Sequence, residues 1–209
     1  MRRRLRWNTH GVWVAGSIPL VALALQAAAD RLGANPVETV THVTGEWALR
    51  WLWLCLAVTP ARRWLGWSAV APARRPLGLL AFGYASLHFA TFLVLDLSLD
   101  LSLLGEELTE RPYITAGFTG LVLMLPLALT STRASIRRLG RRWVTLHRLV
   151  YLAAVAAVVH YAWLVKADVR EPWIYAGVLA VLLAARIRVP PARRRGDGGT
   201  WVSSDRASA

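Results

Sequence analysis

Residues 77–95 read LGLLAFGYASLHFATFLVL, and residues 149–165 read LVYLAAVAAVVHYAWLV. Neither stretch carries a formal charge, and each holds one histidine. Crossing a bilayer takes roughly 17–25 mainly apolar residues, so both are long enough to span. Working outward, residues 12–29 and 113–129 have the same character. Residues 47–58 and 173–185 are shorter, and need interfacial Trp and snorkelling Arg to complete a crossing. The pattern predicts an all-α, polytopic membrane bundle of about six transmembrane helices. No internal repeat is evident.

The composition excludes the common alternatives. Of 209 residues, 56% are hydrophobic and 18% charged, and the mean hydropathy is +0.40. Soluble domains carry about 25% charge, which makes an ordinary soluble enzyme a poor fit. Eleven Trp and long Leu/Val/Ala runs exclude a disordered chain, and a single Cys excludes a disulfide scaffold or a Cys-rich metal site. A net charge of +13 invites a nucleic-acid reading. The basic residues lie between apolar blocks rather than in one patch, so no nucleic-acid partner is expected.

Charge then sets the orientation. With both termini cytoplasmic, twenty of the 25 Arg and Lys fall inside, and ten of the twelve acids fall outside. The Lys/Arg bias is the positive-inside signal, and the acids agree with it. A second reading of the start takes residues 1–29 as a signal peptide ending in Ala27, Ala28 and Ala29; the preferred one keeps a first helix. Residues 59–76 read as a Pro/Arg-rich cytoplasmic loop, and 96–112 as an acidic outer loop with amphipathic character. Residues 1–189 are expected to form the membrane domain, with 190–209 a disordered basic cytoplasmic tail near anionic lipid. Trp7, Trp13, Trp47, Trp64, Trp67, Trp143, Trp163 and Trp173 lie near block ends, as an aromatic belt would.

An ionisable residue within a span is a functional candidate. His10 and His42 fall at block edges and read as interfacial polar residues. His88 and His160 lie well inside parallel blocks, each at roughly 16 Å from the cytoplasmic edge at 1.5 Å per residue. Two imidazoles at one height on parallel helices suit the two axial positions of a haem. Tyr84, Ala85, Thr91 and Phe92 on one side, and Ala156, Ala157, Trp163 and Leu164 on the other, would wall it. A backbone-bonded structural role or a proton path is the alternative for either histidine. Zinc fits less well, because no acid lies at that height. His147 sits at the cytoplasmic mouth, and on an ideal helix it would point roughly 140° away from His160. A second haem would use His147, with Arg74 meeting propionates where a second histidine would otherwise stand.

Larger motifs carry a resemblance. Residues 111–166, RPYITAGFTGLVLMLPLALTSTRASIRRLGRRWVTLHRLVYLAAVAAVVHYAWLVK, resemble the haem-binding membrane subunits of the MsrQ (YedZ) type. So do NPVETVTHVTGEWALRW at 35–51, LAVTPARR at 56–63 and RRPLGLLAFGYASLHF at 74–89. This type lies within the ferric-reductase-like transmembrane superfamily. The resemblance implies a multi-pass haem b protein of the bacterial inner membrane, with one haem or two. It implies electrons taken from the quinone pool or a cytosolic flavin reductase. They would pass to a periplasmic molybdopterin-containing catalytic subunit that reduces methionine sulfoxide in oxidised envelope proteins. It also implies bound FMN. By motif match, His88 and His160 are the axial pair and His147 the additional histidine. No nicotinamide-binding fingerprint is present. The rival readings are another ferric-reductase-like cytochrome b, or a non-redox membrane transporter or scaffold.

Overall fold

The computed structural model describes residues 9–165 and 170–187. The basic N-terminal arm with Trp7, Lys166 and the tail at 190–209 lie outside the described residues. Among the described residues the chain is helical throughout, with no strand. The helices are α1 (Thr9–Ala28), α2 (Pro36–Trp64), α3 (Arg74–Thr91), α4 (Leu101–Glu110), α5 (Pro112–Leu129), α6 (Arg133–Leu139), α7 (Arg141–Leu146), α8 (Leu149–Leu164) and α9 (Arg170–Ile187). A 3-10 turn at Ser68–Ala73 leads into α3, and a π turn at Phe92–Asp96 extends it.

Local chemistry sets these boundaries. The Asn35 side chain accepts from the Glu38 backbone N–H at 3.2 Å, and Pro36 begins α2 where no N–H is needed. Asp100 caps α4 by accepting from the Ser102 N–H at 2.8 Å. Hydrogen bonds from Ser102 and Leu103 hold its carboxyl below the usual carboxylate range. Pro112 opens α5, and the Thr132 hydroxyl caps α6. Gly140 separates α6 from α7 at φ 51°, ψ −122°, a conformation that only glycine adopts without strain.

Among the described residues, four segments are long and apolar enough to cross a membrane: Thr9–Ala28, Ser68–Asp96, Pro112–Leu129 and Arg141–Leu164. They contain four of the six apolar blocks. The remaining two form α2, of 29 residues, and α9, of 18, which both carry charges. The amphipathic segment expected at 96–112 is α4. The loop expected at 59–76 is shorter than the sequence suggested, because α2 runs through Pro60 to Trp64.

A proline inside a helix leaves the carbonyl four residues earlier without its partner. For Pro60 that carbonyl belongs to Leu56, and Arg186 of α9 donates to it from Nη2 at 2.6 Å. Arg186 also donates to the Tyr151 hydroxyl of α8, and its guanidinium lies 4.9 Å over that ring. One side chain thus repairs α2 and ties α8 and α9 to it.

The core lies between α2 and α3, where Leu49, Leu52, Leu56, Leu80, Ala81 and Tyr84 are buried. α5 and α8 form the second closely packed pair, and Gly120 faces the Ala153 carbonyl and Ala156. α1 docks on α3 at Gly16, where a Cβ would lie 2.5 Å from Leu80. The Tyr84 hydroxyl donates to the Gly16 carbonyl there at 2.6 Å. Trp13, Trp64, Trp67, Trp163 and Trp173 are exposed, as a belt requires. Trp47 and Trp143 are half-buried, and both have ring partners.

Replacing Arg186 with Leu removes the donor for Leu56 while leaving the helix–helix contact apolar. The expected loss is about 1–3 kcal/mol, the cost of an unmet buried acceptor. It is read as lowered thermal unfolding of the detergent-solubilised protein, and unchanged unfolding would show that the Pro60 break needs no repair.

Candidate functional site

The two helix pairs present their histidines in the same way. In α3, Nδ1 of His88 lies 2.9 Å from the Thr41 carbonyl of α2. In α8, Nδ1 of His160 lies 2.7 Å from the Tyr113 carbonyl of α5. Both bonds join residues 47 apart in the chain. One turn beyond each carbonyl stands a glycine against the ring it holds. A Cβ on Gly45 would lie 3.0 Å from His88 Nδ1, and one on Gly117 would lie 2.7 Å from His160 Nδ1. The chain therefore contains a structural repeat that its sequence does not advertise: carbonyl, glycine one turn on, histidine on the partner helix.

A carbonyl only accepts, so each Nδ1 carries the proton and each Nε2 the lone pair. The rings of His88 and His160 have centroids 6.0 Å apart and planes inclined at 74°. Two imidazole nitrogens bound at about 2.0 Å to opposite sides of one metal place the centroids roughly 6 Å apart. The observed separation matches that arrangement. Among the described residues no group of three or more His, Cys, Asp or Glu could hold a metal ion. Any metal held between the two imidazoles must bring its remaining ligands with it.

Both histidines line a cavity of about 580 Å³. Its walls include Ala85, Phe89, Phe92, Ala157, Leu164 and Phe118. Phe89 and Phe118 bridge α3 and α5 with centroids 5.5 Å apart. Ala85, Phe92, Ala157 and Leu164 match the expected wall. Tyr84 instead turns to α1, Trp163 is exposed, and Thr91 and Ala156 are absent from the lining. The π turn carries Phe92 and Asp96 to the wall; such widened turns recur at functional sites. Glu46 also reaches the cavity, and its Oε2 pairs with Arg50 at 2.6 Å.

His147 and Arg74 do not line this cavity. His147 ends α7, stacks on Trp143 with centroids 3.8 Å apart and directs Nδ1 to the Trp143 carbonyl at 3.1 Å. Its Nε2 is buried without a partner. The helix breaks at residues 147–148, between α7 and α8, so the 140° separation from His160 inferred for an unbroken helix does not hold. Arg74 begins α3, and its carbonyl accepts from the Cys55 thiol at 3.4 Å. Sequence reading missed Gly45, Gly117 and the carbonyls of Thr41 and Tyr113. It also missed that His42 and Arg111 lie at the cavity.

A bundle of apolar helices long enough to cross a membrane, with two backbone-oriented imidazoles at a shared cavity, is the framework of a multi-pass membrane protein. The chain belongs to the ferric reductase like transmembrane component family, whose sequence model matches residues 44–158, and within it to the family of protein-methionine-sulfoxide reductase heme-binding subunits, MsrQ. A relative of that name from Rhodospirillum rubrum is 46% identical over 199 residues, 95% of each chain. One from Deinococcus radiodurans is 50% identical over 185 residues, 88% of this chain and 91% of its own. One from Xanthomonas euvesicatoria pv. vesicatoria is 48% identical, covering 88% of this chain and 78% of its own. No solved structure matches the chain.

The two ring-facing glycines give a direct check. Gly117→Ala should destabilise the fold by about 1–3 kcal/mol through overpacking against His160. Gly83→Ala, where a Cβ meets nothing within 4 Å, should be neutral or stabilising by up to about 1 kcal/mol. Thermal unfolding of the two variants side by side decides it; equal melting points would mean that the His160 ring yields freely.

Proposed function

We propose that the chain is a haem b electron-transfer subunit of the bacterial inner membrane, with His88 and His160 as the axial ligands. The observation that carries this reading is the pair of imidazoles 6.0 Å apart, each with Nδ1 tied to a backbone carbonyl. A hydrogen bond from the far ring nitrogen to a carbonyl fixes the tautomer and orientation of a metal-binding histidine and raises its basicity. Haem, when bound, supplies a one-electron centre, and two histidine ligands leave its iron without an open position, which favours electron transfer over oxygen chemistry.

The chain's own residues hold, orient and shield the group. His88 and His160 would hold it. Alanines leave room for a flat ring, and Phe89, Phe92 and Phe118 line it with apolar surface. The low dielectric of that wall makes nearby charges effective in setting the potential.

Orientation follows from the Lys/Arg bias: both termini lie in the cytoplasm, all six apolar blocks cross, and α4 lies on the outer face. The named relatives are subunits of a methionine-sulfoxide reductase. By that kinship, electrons enter from the quinone pool or a cytosolic flavin reductase. They leave to a periplasmic molybdopterin catalytic subunit that repairs oxidised envelope proteins. His147, within electrostatic range of Arg74, is the candidate for the cytoplasmic entry side or a second haem. The geometry assigns no residues to FMN.

The test is a reduced-minus-oxidised spectrum of detergent-purified protein with haem quantification. A low-spin b-type spectrum should appear, and His88→Ala or His160→Ala should abolish it. His147→Ala should leave that spectrum in place. A colourless, well-folded wild-type chain would refute the reading and return the histidines to structure or proton transfer.

A further inference from the structure

The cavity is chemically two-ended. Toward the middle of the bundle it is lined by Leu49, Leu52, Leu121, Met124 and Ala153. Toward α4 it is lined by Glu38, His42, Asp96, Glu107 and Arg111, with Glu46, paired to Arg50, between the two ends. Among the described residues Arg111 is the only Arg or Lys in the lining. A porphyrin has the same division, with hydrocarbon edges and one edge carrying two carboxylates. Four carboxylates line this cavity, and bringing two more beside them uncompensated would be strongly unfavourable.

We propose that Arg111 binds the propionate carboxylates of the haem and so sets its in-plane orientation, propionate edge toward α4; this rests on the haem reading above. Arg111 caps α5 immediately before Pro112, and Tyr113, which follows, supplies the carbonyl that holds His160. The ring of Pro112 fixes its φ, so the guanidinium and the axial imidazole are set by one short, stiff segment. Arg111 Nη1 lies 3.1 Å from Glu107 Oε2 and 3.4 Å from the Tyr113 hydroxyl. The contact with Glu107 is an ion pair without hydrogen-bond geometry, since Glu107 Oε2 is buried with no hydrogen-bond partner. A guanidinium has five N–H donors and favours planar, two-point contact with carboxylates. Arg111 therefore keeps donors for a second carboxylate while remaining beside Glu107.

The experiment compares full-length wild type, Arg111→Gln, Arg111→Lys and Glu107→Gln, each loaded with haem b or with haem b dimethyl ester, whose propionates cannot ionise. The readouts are the rate of haem transfer to apomyoglobin and the midpoint potential. With haem b, Arg111→Gln should lose haem about tenfold faster or more, as the loss of a charged hydrogen bond implies. Its potential should move negative, Arg111→Lys should fall between it and wild type, and Glu107→Gln should move the potential positive. With the ester, wild type and Arg111→Gln should lose the group at the same rate. The proposal is overturned if Arg111→Gln matches wild type with haem b, or if the difference persists undiminished with the ester. If Arg111→Gln does not fold, the same comparison of haem with its ester is made between wild type and Arg111→Lys, and identical ratios overturn it. Wild type that takes up neither group sinks the haem reading itself, whereas a coloured wild type with an indifferent Arg111 sinks only this inference.

Discussion

The hydrogen bond from a ring Nδ1–H to a backbone carbonyl on the neighbouring helix is the constraint on which the rest of the bundle depends. In hydrocarbon no water is at hand to satisfy a polar atom, so an intramembrane imidazole must find its partner within the protein. Thr41 and Tyr113 supply it at 2.9 and 2.7 Å. A helical carbonyl is already an acceptor within its own helix, but it has a second lone pair. Reaching that lone pair requires the partner helix to come close, and the side chain one turn further on would stand in the way. Gly45 and Gly117 remove it. The closest helix pairs, α2 with α3 and α5 with α8, therefore coincide with the histidine contacts.

Two such pairs must then be held so that both imidazoles line one cavity. The contact between Phe89 and Phe118 joins α3 to α5 on one side of it. At the other end of α2, Arg186 bonds the Leu56 carbonyl that Pro60 leaves open and secures α8 through Tyr151. Pro60 costs α2 a bond, and the repair ties α2 to α8 and α9. A defect in the ladder of one helix thus becomes a junction among three.

The matched depth of His88 and His160 was legible because it depends only on counting residues along two uninterrupted, parallel helices. The end of α2 was not, because Pro60 and the Arg pair at 62–63 look like a loop until Arg186, far along the chain, is placed beside Leu56. The repeat was hidden for a physical reason. Its acceptors are backbone carbonyls, so Thr41 and Tyr113 need share no side chain, and only a glycine and a histidine recur. His147 misled because helical phase was carried across a break at residues 147–148. Arg111 was read for its charge as a topology signal, and nothing in its local pattern announced that α4 and the start of α5 would bring it to the cavity.

Two imidazoles facing each other, with no third protein ligand beside them among the described residues, make a weak site for a bare ion and a strong one for an ion that brings a planar ligand set. Their ring centroids lie 6.0 Å apart, close to the separation expected of two imidazoles sharing one metal ion. The cavity that both rings line holds about 580 Å³, far more than a bare ion fills. On the proposed reading, a flat macrocycle that brings its own in-plane ligands accounts for both the spacing and the room, whereas a proton path of two histidines would need neither.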